Sequence, residues 1–239
     1  MTSSAKEMTP ETRPNKTLPL LLHIATAITG LIDAISYLAL GHVFTANMTG
    51  NVVFIAFAVA GVPGLSLTRS LTALVAFMVG ALIGGRAATH LSEVSRPKWI
   101  TTVLSLESAL LLVATLAAIN FRNPLGSSFQ LYSIIVLTAV AMGIRNATVR
   151  KMGIPDLTTT VLTLTITGIA ADSTFAGGTS PRWRRRLLAV LLMFVGAAIG
   201  TLLLRRSLVW PLATATVLSI CCVAISMKQR DGSARSATS

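Results

Sequence analysis

Apolar residues in this chain fall in long runs. Residues 18–40, 44–62, 68–91, 99–119, 129–149, 157–176, 187–204 and 208–227 are predominantly apolar. About 20 such residues carry an α-helix through the ~30 Å hydrocarbon core of a bilayer, so the pattern predicts an all-α, polytopic membrane protein. Polar punctuation separates the runs. Pro14-Asn15-Lys16-Thr17 leads into the first, with Thr17 as its expected N-cap. Pro63-Gly64 precedes the third, Ser95-Arg96-Pro97-Lys98 the fourth, Arg122-Asn123-Pro124-Leu125-Gly126 the fifth and Gly177-Gly178-Thr179-Ser180-Pro181 the seventh. Residues 1–17 and 228–239 read as polar tails, the second disordered. With no small-residue cleavage site after the first run, that run is expected to stay as a helix.

Two runs open on polar residues: Asn47, Thr49 and Asn51 in 44–62, and Thr158 to Thr160, Thr163 and Thr165 in 157–176. Loop charge arbitrates how they sit. If neither crosses, most Lys and Arg share the side of the N-terminus; if all eight runs cross, the basic residues spread over both sides. Cytoplasmic loops collect Lys and Arg. The expectation is therefore six transmembrane helices, both termini cytoplasmic, and a second and sixth segment that are broken or re-entrant.

The chain also repeats itself. Gly30-Leu-Ile-Asp33-Ala34 lies over Gly143-Ile-Arg-Asn146-Ala147, Leu40-Gly41 over Met152-Gly153, Thr45–Thr49 over Thr159–Thr163, and Val79-Gly-Ala-Leu-Ile-Gly84 over Val195-Gly-Ala-Ala-Ile-Gly200. The matches come in order at a nearly constant separation. Three crossings per half force the halves, about 18–119 and 129–227 of a single membrane domain 18–227, into opposite orientations. That is a two-fold inverted repeat, with the polar breaks meeting near midplane.

Composition agrees. The chain has 239 residues, 53% hydrophobic and 12% charged, with a mean hydropathy of +0.73, where soluble domains are about 25% charged. The net charge of +12 is scattered between apolar runs, which fits the positive-inside pattern and not a nucleic-acid surface. Cys221 and Cys222 are adjacent in an apolar run and form neither a metal spacing nor a disulfide framework.

Ionisable and polar groups in hydrocarbon are expensive and mark candidate sites. His23, Thr26, Gly30, Asp33 and Tyr37 are spaced three and four apart, on one face of the first helix. That face is either the wall of a solute or proton path or a buried seam. Asn47 and Asn51, one turn apart, either bind solute or cap free backbone groups, and capping is the more ordinary role. Arg145 and Asn146 occupy the repeat positions of Ile32 and Asp33. Arg145 needs a counter-charge, for which Asp33 is the expected partner, unless it snorkels to the interface. Glu107, mid-segment and without a repeat counterpart, reads as a neutral hydrogen-bonded group or as a proton-coupling carboxyl. Asp172 reads as interfacial. Gly80-x-x-x-Gly84 and Gly196-x-x-x-Gly200 are small-residue packing motifs, within the chain or at a homodimer contact. Ser180-Pro-Arg-Trp-Arg-Arg-Arg186 reads as a cytoplasmic anchor with an interfacial Trp.

Gly30-x-x-Asp33-Ala34, Tyr37-Leu38-x-Leu40-Gly41-x-Val43-Phe44 and Ala46-Asn47-Met48-Thr49-Gly50-Asn51 resemble the signature of the YoaK family (domain of unknown function 1275). The resemblance implies a bacterial integral membrane protein with about six spans and no established substrate. It also implies a Gln at the position of Arg145. This chain departs there, and at Leu164, where the first half has Gly50. No G-x-S-x-G, H-E-x-x-H or phosphate-binding glycine loop occurs, so a non-enzyme without cofactor or metal is expected. The leading expectation is a small-solute transporter or channel in the bacterial inner membrane, its path lined by Asp33, Tyr37, Asn47, Asn51, Glu107, Arg145, Asn146 and Thr163. Membrane lipid and an unknown small solute are the expected partners. The alternative is a scaffold or assembly factor whose polar seam only holds helices together.

Overall fold

The computed structural model describes residues 17–91, 96–119, 121, 129–152 and 162–236. Among them lie eight α-helices and no strand: α1 (Thr17–Ala39), α2 (Met48–Val59), α3 (Leu67–Leu91), α4 (Arg96–Ala118), α5 (Phe129–Met152), α6 (Leu162–Ala171), α7 (Trp183–Leu204) and α8 (Val209–Ser236). The polar N-terminal tail lies outside the described residues. Six helices are long and apolar enough to cross a membrane; α2 and α6 are not. At 1.5 Å per residue, α2 spans about 18 Å and α6 about 15 Å, half of what a hydrocarbon core demands.

Helix ends follow local chemistry. After α1, Gly41 takes φ 83° and the His42 amide donates to Tyr37 O at 3.2 Å, closing a Schellman motif. The chain then runs irregularly to Asn47 before α2 begins. The end of α2 repeats the device, with Gly61 at φ 81° and the Val62 amide donating to Phe57 O at 3.1 Å. The tail from Lys228, expected to be disordered, is helical over its described residues. Met227, Lys228, Gln229 and Arg230 are good helix formers, and α8 continues through them to Ser236.

Glycines set how the long helices meet. A Cβ on Gly30 would overlap the carbonyl oxygen of Met193 and crowd Ala197; one on Gly196 would overlap the carbonyl of Ala27, and Gly200 faces Leu31 and Ala34. Contacts therefore ascend together, and α1 runs parallel to α7. The same holds between α3 and α5, where Gly80 meets Val140, Gly84 meets Ile144 and Ala147, and Gly143 meets Phe77 and Ala81. Small residues let backbones approach closely where lipid offers no hydrophobic drive for association. The two expected packing motifs thus both serve contacts within the chain.

Helix direction settles the number of crossings. α1 and α5 are antiparallel: Leu18 shares a cluster with Met152, and Leu22 with Val149, while Arg145 reaches Ala25. Because α3 runs with α5, it runs against α1, so α2 between them does not cross. Because α7 runs with α1, it runs against α5, so α6 does not cross either. α4 and α8 are antiparallel, joined by hydroxyl pairs Thr101–Ser226 at 2.8 Å, Ser108–Ser219 at 2.7 Å and Thr115–Thr216 at 2.9 Å. The core sits where α1, α4, α5 and α8 converge, around Ile28, Ile32, Leu111, Ile135 and Leu212.

This packing predicts a contrast among glycines. Gly30→Ala and Gly143→Ala each lose about 1–3 kcal/mol, the range for overpacking. Gly85→Ala, where a Cβ meets nothing within 4 Å, is neutral or gains up to ~1 kcal/mol of helix propensity. Thermal unfolding of the purified variants in detergent measures this, and equal losses at all three positions contradict it.

Candidate functional site

The most buried charges in the described residues are Glu107, 1% exposed, and Arg145, 4% exposed. Glu107 sits mid-way along α4, and α5 brings Arg145 against it. Arg145 Nε donates to Glu107 Oε2 at 3.0 Å and Nη2 donates to Oε1, a bidentate ion pair. The remaining guanidinium nitrogen donates to the carbonyl of Ala25 at 2.9 Å and to Thr29 Oγ1 at 3.4 Å, both on α1. From α8, the Ser219 hydroxyl donates to Glu107 Oε1 at 3.0 Å. The Ser219 hydroxyl also lies 2.7 Å from that of Ser108, which in turn donates to the Leu104 carbonyl at 2.8 Å. One ion pair thus ties four helices.

This corrects the expected pairing. Arg145 neither pairs with Asp33 nor snorkels; Glu107, read from sequence as a neutral acid or proton carrier, is its counter-ion. The antiparallel register puts Arg145 level with Ala25 and Thr29, and Asp33 lies eight residues, about 12 Å, farther along α1 than Ala25.

Asp33 builds a second polar centre. It is 7% exposed, and its Oδ2 accepts from Asn47 Nδ2 at 3.2 Å. The Ala46 backbone amide faces the same carboxylate. Asn47 occupies the N-cap position of α2 but makes no side-chain cap, because its amide is turned to Asp33. Asn51 does satisfy free backbone: its Oδ1 accepts from the Phe44 amide at 2.9 Å and its Nδ2 donates to the Phe44 carbonyl. One asparagine thus holds the Phe44 corner of the loop that the other, through Asp33, ties to α1.

The remaining candidates are dispersed. Tyr37 is 37% exposed and stacks on Phe44 with ring centroids 5.4 Å apart, outside both polar centres. Thr163 is exposed on α6 and its carbonyl accepts from Thr167; its neighbour Thr165 is the buried threonine of that helix. Asn146 is buried on α5. The first-helix stripe serves three ends: Gly30 packs α7, Asp33 holds the loop and Tyr37 joins an aromatic cluster. Asp172, expected at an interface, accepts from Arg186 at 2.6 Å, and Arg186 also donates to Gly168 O at 2.6 Å, pinning α6 to α7.

Sequence reading passed over Ser108 and Ser219. The available signal was spacing: Thr101, Ser108 and Thr115 on α4, and Ser219 and Ser226 on α8, recur every seventh residue, which keeps hydroxyls on one seam. Above the ion pair lies a cavity of about 30 Å³, walled by Leu18, Leu22, Ile100, Leu104, Val149 and Met152 and reaching Glu107 and Arg145. It has room for one water.

The model of the family described as protein of unknown function (DUF1275) matches residues 21–225. The chain belongs to the DUF1275 family. A relative from Bacillus subtilis (strain 168), the UPF0700 transmembrane protein YoaK, is 33% identical over 189 residues, which is 76% of this chain and 82% of the relative. No solved structure matches the chain. This DUF1275 protein is a multi-pass membrane protein in contact with lipid, and both polar centres fall within the family match.

The ion pair predicts strong coupling. Glu107→Gln and Arg145→Gln each strand a buried charge and cost about 3–5 kcal/mol, while the double variant costs less than the sum. Asp33→Asn combined with Arg145→Gln is additive, because the two groups share no partner. Thermal unfolding in detergent gives both cycles, and additivity at Glu107/Arg145 contradicts the pair.

Proposed function

We propose that this protein is a small-solute transporter of the bacterial cytoplasmic membrane, without enzymatic activity, built from two inverted half-repeats and carrying its solute past the Glu107–Arg145 pair. The observation that carries this reading is the position of the pair: a fully buried charged couple at the foot of a cavity between α1, α4 and α5, where helices of the two halves meet. Intramembrane ion pairs of this kind mark solute or ion paths. The cavity has room for about one water, so on this reading a larger solute passes only when α1 or α4 moves away from α5.

The repeat reading draws support from the glycine contacts. Gly30 meets Met193 and Ala197 of the other half, and Gly143, its counterpart, meets Phe77 and Ala81, which lie over those residues when the Gly80 and Gly196 motifs are superposed. Gly80 against Val140 and Gly196 against Ala27 exchange in the same way. Each half's first helix therefore packs on the other half's third, the arrangement an inverted repeat generates. Arg86, Arg150, Lys151, Arg184 and Lys228 then share one face, and the positive-inside rule makes it cytoplasmic.

The scaffold reading has its own support. Arg145 is nearly saturated with acceptors and α4 is zipped to α8 by three hydroxyl pairs, as a purely structural seam would be. Solute access separates the two. In a background free of Cys221 and Cys222, Leu104→Cys on the cavity wall is expected to react with a membrane-impermeant thiol reagent from the cytoplasmic side, at a rate that solute changes. Metabolite uptake by a deletion strain is expected to recover with the wild type and not with the folded Glu107→Gln/Arg145→Gln double variant. Protection of Leu104→Cys from both sides under every solute tried, with unchanged uptake, overturns transport in favour of the scaffold.

A further inference from the structure

The junction of α1 and α2 leaves oxygen ligands without partners. Asp33 Oδ1 is buried and accepts no hydrogen bond, although its sister oxygen is held by Asn47. Thr45 is 0% exposed, and its hydroxyl also has no partner. The two are brought together by the loop: Thr45 precedes Ala46, whose amide faces the Asp33 carboxylate, and covalent geometry holds the Thr45 hydroxyl within about 5 Å of that amide nitrogen. Buried polar atoms are almost always satisfied, and each exception calls for a ligand or a reason. The segment from Leu40 to Asn47 is neither helix nor strand, so its carbonyls are not committed to a regular ladder. Irregular backbone at membrane depth is tolerated where it lines a cavity or coordinates an ion.

We propose that Asp33, Thr45 and backbone carbonyls of the 40–47 loop bind a monovalent alkali cation, Na⁺ in the first instance, at the root of the α2 segment. The chemistry selects the class. Carboxylate, hydroxyl and carbonyl are hard oxygen ligands that suit alkali and alkaline-earth ions and not the softer transition metals. One carboxylate balances one positive charge. A divalent ion would leave an uncompensated charge in a low-dielectric site, and among the described residues no group of three or more His, Cys, Asp or Glu gathers that would neutralise it. The Arg69 guanidinium, from α3, packs against Gly41 at the far end of the same loop and further opposes a second charge. Asn47, whose amide group donates to Asp33, orients the carboxylate and leaves Oδ1 to the cation. By drawing the loop onto α1, the ion fixes the angle at which α2 re-enters.

The proposal is independent of the solute path, since Asp33 shares no partner with Glu107 or Arg145, and its test reads no transport. The full-length purified protein in detergent is melted in NaCl, KCl, LiCl and choline chloride at matched ionic strength, and saturable ²²Na⁺ binding is measured on the same material. The wild type is expected to melt several degrees higher in NaCl than in choline chloride and to bind ²²Na⁺ saturably. Asp33→Asn is expected to lose both effects, and Thr45→Val to weaken binding severalfold while keeping the fold, which preserves the test if Asp33→Asn does not fold. A wild type with no cation-specific shift and no saturable binding overturns the proposal. So does binding that persists unchanged in Thr45→Val and Asp33→Asn.

Discussion

A guanidinium and a carboxylate can remain charged inside a helical membrane domain only if they find each other, and that constraint organises this protein. Arg145 and Glu107 are almost wholly buried and satisfy each other through two hydrogen bonds. Their surplus donors and acceptors reach a carbonyl on α1 and a serine on α8. The pair therefore fixes not one contact but the relative heights of α1, α4, α5 and α8. A slip of one turn in any of them would strand a donor or a charge, at a cost of several kcal/mol. Hydrophobic packing in lipid tolerates such a slip far more readily, because one apolar face against another is little different from either against acyl chains.

The ion pair sets register, but only glycine permits the approach. Where α1 meets α7 and α3 meets α5, the space a Cβ would need is filled by a neighbouring carbonyl or amide. These two tight parallel pairs flank the antiparallel α4–α8 pair, whose hydroxyls meet each other across the seam. α2 and α6, with one buried residue each and too short to cross, lie outside these pairs and return to the side from which they entered. Re-entry exposes irregular backbone, and the chain answers with side chains: Asn51 on the Phe44 backbone, and Arg186 on Gly168 and Asp172.

What could be read from sequence follows from the range of each interaction. The six spans were legible because bilayer thickness acts on every residue of a run. The break at 40–47 was legible because an Asn and Thr cluster at the head of an apolar run is a local signal; Thr158 to Thr160, the matching cluster before α6, lie outside the described residues. The glycine motifs were legible as packing, though their partners were not. Partner choice is a property of neighbouring helices, which a single run does not carry: Asp33, the expected partner of Arg145, lies farther along α1 than the residues Arg145 meets. The antiparallel register of α1 against α5 places Ala25 and Thr29 beside Arg145 instead. Glu107 has no charged neighbour along its own helix, and only the packing of α4 on α5 supplies its partner. Asn47 holds the expected place at a helix start, but its side chain is oriented by Nδ2 donating to the buried Asp33 carboxylate, and its oxygen makes no cap.

The proposed repeat bears on where chemistry would lie. If the halves are copies, whatever both copies share is scaffold: the paired glycines, the short third-party helices, the crossing angles. Chemistry lies where the copies differ. Ile32 stands where the second half has Arg145, and Asn146 where the first has Asp33. The first half thus offers α5 an acid on α4 and keeps a lone carboxylate at its own re-entrant loop. The second half offers only the cation. An arrangement with mirrored charges would have placed like charges on opposite sides of the pseudo-axis and gained no net polarity across the membrane. Breaking the equivalence gives one saturated ion pair, which resists change, and one carboxylate with an open oxygen, which invites a ligand. The rigid centre and the receptive one are about 12 Å apart along α1 and share no hydrogen-bond partner, so each can be altered without unmaking the other.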